Sequence, residues 1–255
     1  MYGGGDWWAV ITGATDGAGK GYAERLAGDG LNIVLVSRTP AKLDRVKTEI
    51  RSKYGVDVTT VAIDFANDDP NDYMKKLVEA VKDKKIGALI NNVGMVYGDK
   101  VPTTDPAKVR QILNCNIGSV TYVSLAVLPL MIRQRKGIVV NVSSDSCLAS
   151  TAEWGYYAGS KAYTLLYTEG IRRELEDHGI NVLLSRPGFI DTKMVAGLKT
   201  VAMLSVQDYV NNTLADVGRK EISPGDARNG LMQFLLSFSF TKDLMLKYFY
   251  AYYEG

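Results

Sequence analysis

Short apolar runs alternate with longer amphipathic stretches along most of this chain. The runs are Trp7–Ile11, Leu31–Val36, Val56–Ile63, Ile86–Ile90, Ile138–Val142 and Ile180–Leu184. Each is short and nearly unbroken, as a strand covered on both faces should be. Between them the apolar residues recur at helical spacing. Tyr22, Ala23, Leu26 and Ala27 share one side, and Leu43, Val46 and Ile50 do the same within Ala41–Tyr54. The spacing predicts further helices over Asn71–Lys82, Asp105–Met131, Tyr156–Asp177 and Val206–Val217. Asp105 reads as an N-cap, with Pro106 at the first helical position. Strand and helix in alternation predict an α/β fold: a single doubly wound domain with a parallel sheet of six or seven strands. A seventh strand within Ile222–Asn229 is disfavoured by Ser223-Pro224-Gly225.

The polar residues of interest fall just after these runs, the edge where open α/β sheets bind ligands. The first run leads into Gly13-Ala14-Thr15-Asp16-Gly17-Ala18-Gly19 and then a helix. Glycines let the chain turn tightly and let a pyrophosphate approach the backbone, and the helix N-terminus offers oriented N–H groups. This stretch is expected to bind a dinucleotide in a Rossmann-like manner. The second run ends in Ser37-Arg38, with no acid for a ribose 2′-hydroxyl. A guanidinium suits a 2′-phosphate, so NADP(H) is expected rather than NAD(H). Asp64 closes the third run, either to accept from adenine or to start a helix. Asn91-Asn92-Val93-Gly94 closes the fourth, either bridging backbone and cofactor or making a plain Asx turn.

The fifth run ends at Ser144, and Tyr157 and Lys161 stand four residues apart on the next helix, so they share a face. A cation roughly 5 Å from a phenol, at an effective dielectric of about 20, favours the phenolate by about 3 kcal/mol. That is a downward shift of about 2 pKa units from about 10. Tyr157 is then expected to be an acid/base, Lys161 to tune it, and Ser144 to orient a carbonyl or alcohol. A mid-helix Asn is locally unfavourable, so Asn116 is expected to polarise backbone or hold a water. Cys147 reads as pocket lining, because no base is placed to activate it.

Of the 255 residues, 46% are hydrophobic, enough for a sizeable core. The net charge of +2 is spread without basic blocks, which argues against nucleic acid as a partner. Two cysteines, Cys115 and Cys147, suggest a reducing compartment rather than a disulfide framework. One histidine, His178, in a Glu-Asp-His-Gly helix end, leaves no metal centre expected. No secretory signal is visible, and no run reaches about 18 unbroken apolar residues. Residues 1–6 read as a flexible lead and Lys193–Met203 as a loop over an apolar substrate, with Leu148, Trp154, Met194 and Leu198 nearby. The aromatic-rich segment 231–255 reads as core or subunit interface, or as contact with a membrane or an apolar substrate.

Together these residues resemble the classical short-chain dehydrogenase/reductase family over roughly Trp7 to Asn229. Thr12-Gly13-x-x-x-Gly17-x-Gly19 matches its cofactor motif, and Asn91-Asn92-Val93-Gly94 its Asn-Asn-Ala-Gly signature with Val for Ala. Asn116, Ser144, Tyr157 and Lys161 match its catalytic tetrad, with Ser144 and Tyr157 thirteen positions apart. The resemblance further implies that Pro187, Gly188, Ile190 and Thr192 border the nicotinamide and its phosphates. It implies cofactor contacts from Gly13, Thr15, Asp16, Gly17, Ala18, Gly19, Arg38, Asp64, Asn91, Val93, Gly94, Tyr157 and Lys161. Thr-Gly-Ala-Thr-Asp-Gly, Val-Ser-Arg-Thr, Asp-Phe-Ala and Asn-Asn-Val-Gly-Met resemble the branch of 17-beta-hydroxysteroid dehydrogenases and very-long-chain 3-ketoacyl-CoA reductases, with Ala18 where Ile is usual.

That branch implies an NADPH-dependent interconversion of a ketone and a secondary alcohol on an apolar small molecule, by a homodimer or tetramer. The alternatives are a carbonyl reductase of other specificity and a catalytically silent NADP-binding partner protein. The expected location is intracellular: cytoplasmic for the chain as given, endoplasmic reticulum membrane if the natural chain carries a preceding membrane segment.

Overall fold

The computed structural model describes residues 3, 5–193 and 203–238. Its strands are β1 (Trp7–Thr12), β2 (Asn32–Ser37), β3 (Val58–Ala62), β4 (Lys85–Asn91), β5 (Gly137–Val142), β6 (Ile180–Ser185) and β7 (Ile222–Ser223). They form one parallel sheet in the order β3-β2-β1-β4-β5-β6-β7. The order reverses between β1 and β4, and this switch point opens a crevice beyond the carboxyl ends of the strands. β7 is only two residues long, because Pro224 lacks the N–H that would extend its ladder.

The helices are α1 (Gly17–Gly28), α2 (Pro40–Tyr54), α3 (Pro70–Val81), α4 (Pro106–Leu113), α5 (Ser119–Gln134), α6 (Gly155–Leu175), α7 (Val206–Asp216) and α8 (Ala227–Leu236). One face of the sheet packs against Tyr22 and Leu26 of α1, Leu43 and Ile50 of α2, and Tyr209 and Leu214 of α7. The other packs against Tyr73 and Leu77 of α3, Val123 and Met131 of α5, and Ile171 and Leu175 of α6. Each such buried side chain contributes about 1.5–3 kcal/mol, against about 1 kcal/mol for a net hydrogen bond. Apolar packing therefore holds the layers, while polar groups set the local geometry.

Two expectations change, and a third falls outside the described residues. The single helix over Asp105–Met131 is interrupted by a π-turn at Asn114–Gly118, so α4 and α5 are out of step across it. The extra residue per turn turns Asn116 inward instead of leaving it in a regular helix. The apolar segment 231–255 does not enter the core where it is described: on α8 the buried residues are Asn229 and Gln233, while Leu231 and Phe234 are exposed. The loop expected over 193–203 lies almost wholly outside the described residues, as do Met194 and Leu198; so do most of the aromatics of the tail. Among the described residues, the stretch Pro106–Gln134 is long and apolar enough to cross a membrane, and half of its most apolar window is buried in the protein.

Candidate active site

The glycine turn is built as the sequence implies. Gly17 has φ +48°, in the left-handed region, and a Cβ on Gly19 would stand 2.2 Å from the Gly13 carbonyl oxygen. Asp16 caps α1 by accepting from the Gly17 N–H at 3.0 Å, and the helix leaves the amides of Ala18 and Gly19 without helical partners. The second Asp16 oxygen accepts from Lys193 at 2.8 Å, which holds its carboxyl below the usual range. Thr15 shares a hydrogen bond with Ser37 at 2.9 Å, tying the turn to the end of β2. Thr192 closes in from the opposite side, its methyl 3.1 Å from where a Cβ on Gly17 would stand. An open groove of about 530 Å³ runs over this start of α1, between Asp16, Lys20, Thr192 and Lys193. Tyr157 and Lys161 are not among its walls.

Next along the sheet edge, the Asn pair divides its work. Asn92 donates its side chain to the Thr12 carbonyl at 3.0 Å, and Thr12 Oγ1 accepts from the N–H groups of Asn92 and Val93 at 2.9 and 3.1 Å. This bridges β1 and β4 at the switch point. Asn91 points into the sheet, donating to Asn141 at 2.9 Å and Ser124 at 3.3 Å. The amide of Asn91 is therefore committed to the core, and Asn92 makes the bridge. Asp64 accepts from Ala66 N–H at 3.2 Å and Asn67 Nδ2 at 2.9 Å, so its carboxylate builds a turn; it starts no helix, since α3 is capped by Asp69. Arg38 is exposed at the end of β2 and has no ion-pair partner among the described residues. The backbone of Ile190 pairs with Leu204, which pins the segment after β6 at both ends of the loop.

The four tetrad residues come together. Asn116, buried in the π-turn, accepts from Met95 N–H at 2.8 Å and donates to Met95 O at 3.0 Å and to Ser160 Oγ at 2.9 Å. It thus braces the loop after β4 against α6 through the Met95 backbone and Ser160. Lys161 Nζ donates to the Val142 carbonyl at 2.9 Å and stands 5.7 Å from the centre of the Tyr157 ring. Lys161 Nζ and Asn116 Oδ1 both face Gly94, 3.4 and 3.5 Å from where a Cβ would stand; a larger residue would crowd them. Ser144 caps the 3-10 turn Asp145–Cys147 by accepting from Ser146 N–H at 3.2 Å, its hydroxyl donates to Ser146 Oγ at 3.2 Å, and its side chain acts to lower the pKa of the Tyr157 phenol.

The electrostatics differ from the sequence expectation. Burial pushes the Tyr157 phenol up from its ordinary value, and the Ser144 side chain only partly offsets this. Burial also pushes the Lys161 ammonium down, to about 8. The expected lowering of the phenol by Lys161 does not prevail, because removing both groups from water penalises both charged forms. The outcome is a loaded phenol beside a cation that remains charged at neutral pH.

Residues not assigned from sequence also shape the site. Ser143 donates to the Lys161 carbonyl at 2.7 Å, and Asn141 links Asn91 to Thr168 at 3.0 Å. Both lie in the run leading to Ser144, where a polar residue among Val and Ile was the only available signal. Trp154 packs edge-on to Tyr157, with ring centres 6.2 Å apart, and is 39% exposed at the rim.

Comparison with known proteins agrees with this geometry. The chain matches the family model described as short chain dehydrogenase over residues 7–201. The chain belongs to the short-chain dehydrogenase family, oxidoreductases that act between CH–OH and C=O groups. Within it, this chain is similar to the very-long-chain 3-oxoacyl-CoA reductase of Homo sapiens, 35% identical over 236 residues that cover 90% of this chain and 74% of the relative. Among solved structures, a 7beta-hydroxysteroid dehydrogenase superposes with a TM-score of 0.86 at 25% identity, covering 94% of this chain and 95% of that one. A short-chain dehydrogenase from Sphingobium yanoikuyae in complex with NADPH superposes with a TM-score of 0.78 at 26% identity, covering 90% and 94%.

Proposed function

We propose that this chain is an NADPH-dependent reductase interconverting a ketone and a secondary alcohol on an apolar substrate, of the 17-beta-hydroxysteroid or 3-oxoacyl-CoA type. The observation that carries this reading is the buried Lys161 ammonium, 5.7 Å from the centre of the Tyr157 ring and anchored on the Val142 carbonyl, with Ser144 just after the same strand, all at the carboxyl edge of the sheet. The similarity to a human 3-oxoacyl-CoA reductase supports the substrate type, and the exposed Trp154 supports an apolar one.

The glycine turn fits a dinucleotide: close backbone packing at Gly13 and Gly19, α1 amides without helical partners, and Thr192 opposite. Gly13, Thr15, Asp16, Gly17, Ala18 and Gly19 would hold its pyrophosphate end, and Arg38 its 2′-phosphate. Val93, Gly94, Pro187, Gly188, Ile190 and Thr192 would flank the nicotinamide half, and the backbone at Asp64 and Asn91 would border the rest. When bound, NADPH supplies the hydride. Ser144 donates a hydrogen bond to the carbonyl oxygen, and Tyr157 delivers its phenolic proton to that oxygen as charge develops there. The raised pKa suits this direction, because the phenol is protonated at neutral pH. Lys161 then stabilises the phenolate left behind.

One domain carries the whole site, and the protein acts as a homo-oligomer inside the cell.

A panel of ketones and 3-oxoacyl thioesters tests the reading, with NADPH consumption as the readout. Turnover with apolar members is expected. Turnover restricted to small polar carbonyls would favour another specificity, and tight NADPH binding with no turnover across the panel would favour a silent binding protein. In the same assay Arg38→Asp is expected to lower the NADPH/NADH selectivity by about 10–100-fold, the worth of one or two charge-assisted hydrogen bonds. An unchanged ratio would remove Arg38 from cofactor choice.

A further inference from the structure

Helix α8 is built inside out. Asn229 and Gln233, four residues apart and so on one face, are 3% and 4% exposed, whereas Leu231 and Phe234 are 62% and 60% exposed. Burying two amides costs stability unless they are used. Gln233 is used: it accepts from Arg186 Nε at 2.9 Å and donates back to the Arg186 carbonyl. Asn229 is not: its Nδ2 is buried without a partner among the described residues.

The group facing it is Asp145, the residue after Ser144. Asp145 is partly exposed as a residue; its Oδ1 is shut off from solvent without a partner among the described residues, and Gln233 of α8 acts with Arg186 to lower the pKa of its carboxyl. Its N–H donates to the Pro187 carbonyl at 3.1 Å. A Cβ on Gly188 would stand 3.1 Å from Asp145 Oδ2 and 2.8 Å from Asn229 Oδ1, so the two side chains converge over one glycine. Oxygen against oxygen is the wrong pairing for an ionised carboxylate. Turning the amide over puts the unpaired donor toward the carboxylate, and a protonated carboxyl would instead donate to the amide oxygen.

We propose that Asp145 and Asn229 form a latch across Gly188, making Asp145 a positioning residue that fixes Ser144 relative to the Pro187–Gly188 segment. This rests on the function proposed above for what the latch serves. The latch closes in either ionisation state, with the amide turned one way or the other. The groups facing Asp145 are the Arg186 guanidinium after β6, the Cys147 thiol on its own turn, and the Tyr157 phenol on α6; α8 contributes the neutral Gln233 and Asn229. Burial outweighs Arg186 and raises the carboxyl to about 7. Ionised Asp145 in turn raises the Tyr157 phenol.

The test uses the full chain, with NADPH as probe. Asp145→Leu keeps the size and removes the latch; it is expected to weaken NADPH binding and lower kcat by about tenfold each, the worth of one charge-assisted hydrogen bond. Asn229→Leu should do the same, and the double variant no more than either alone. Asp145→Asn keeps a hydrogen-bonding latch and should restore both quantities to within about threefold of wild type. A pKa raised on folding contributes stability that is lost as pH rises through the folded value. The ligand-free wild type should therefore lose melting temperature relative to Asp145→Asn from about pH 5 to about pH 8.

Wild-type NADPH affinity and kcat in Asp145→Leu would overturn the proposal, as would Asp145→Asn being as damaging as Asp145→Leu. So would melting curves of wild type and Asp145→Asn that run parallel with pH. If no ketone is turned over, the proposed function fails while NADPH titration and ligand-free melting still decide the latch.

Discussion

Tyr157→Phe is expected to lower ketone turnover by about a thousandfold, within the range for loss of a general acid, while the NADPH dissociation constant stays within about threefold. The substitution removes one oxygen. The ring remains, and with it the edge-on contact to Trp154 and the seat of Lys161 5.7 Å from the ring centre. Ser144 and Lys161 still polarise the carbonyl, so a residual rate persists. What is lost is a proton donor whose raised pKa keeps it loaded at neutral pH. Initial rates and a fluorescence titration of NADPH check both halves. Turnover within tenfold of wild type would mean that the proton comes from elsewhere.

Lys161→Met is expected to stabilise the protein while removing nearly all activity. Lys161 is 5% exposed, and burial depresses its pKa from 10.5 to about 8. The unfolded chain therefore binds more protons than the folded one between about pH 8 and 10.5. Stability from this group rises with pH across that window, and the cost of burying the charge is fully present below it. At pH 7 that cost is about 3 kcal/mol. Losing the hydrogen bond to Val142 returns about 1 kcal/mol, so the variant should gain about 2 kcal/mol, or roughly 4–8 °C in Tm. The advantage should shrink as pH is raised toward 10. Turnover should fall by at least about a hundredfold, because the phenolate loses its counter-charge. A variant less stable than wild type at pH 7 would show that the ammonium is held by favourable interactions that outweigh its burial.

These two effects separate what was legible in the sequence from what was not. Six strands were legible because each falls in a short, nearly unbroken apolar run, whereas β7 was disfavoured by Pro224; the helices up to α7 were legible because their buried residues keep a 3.6 spacing. The tetrad was legible because Ser144 and Tyr157–Lys161 follow a strand and open a helix, where the fold must bring them to one edge. Asn91 and Asn92 were not separable: adjacent residues at a strand end point to opposite sides, and sequence does not say which side faces the crevice. The π-turn was hidden because Asn114–Gly118 fits a regular helical pattern by composition. The inversion of α8 was hidden because Leu and Phe normally mark the inward face, and here Asn229 and Gln233 face inward. The direction of the Tyr157 shift was missed because proximity to Lys161 was weighed without burial, which acts on both groups and prevails.

The most direct test of the account is transfer of deuterium from NADPH labelled at its transferable position to an apolar 3-oxoacyl thioester, read by mass spectrometry of the product. Label on the new carbinol carbon with wild-type protein, accumulating about a thousandfold more slowly with Tyr157→Phe, is the expected result. An unlabelled alcohol, or labelling at equal rates by both proteins, would contradict a proton and hydride delivered together at Tyr157.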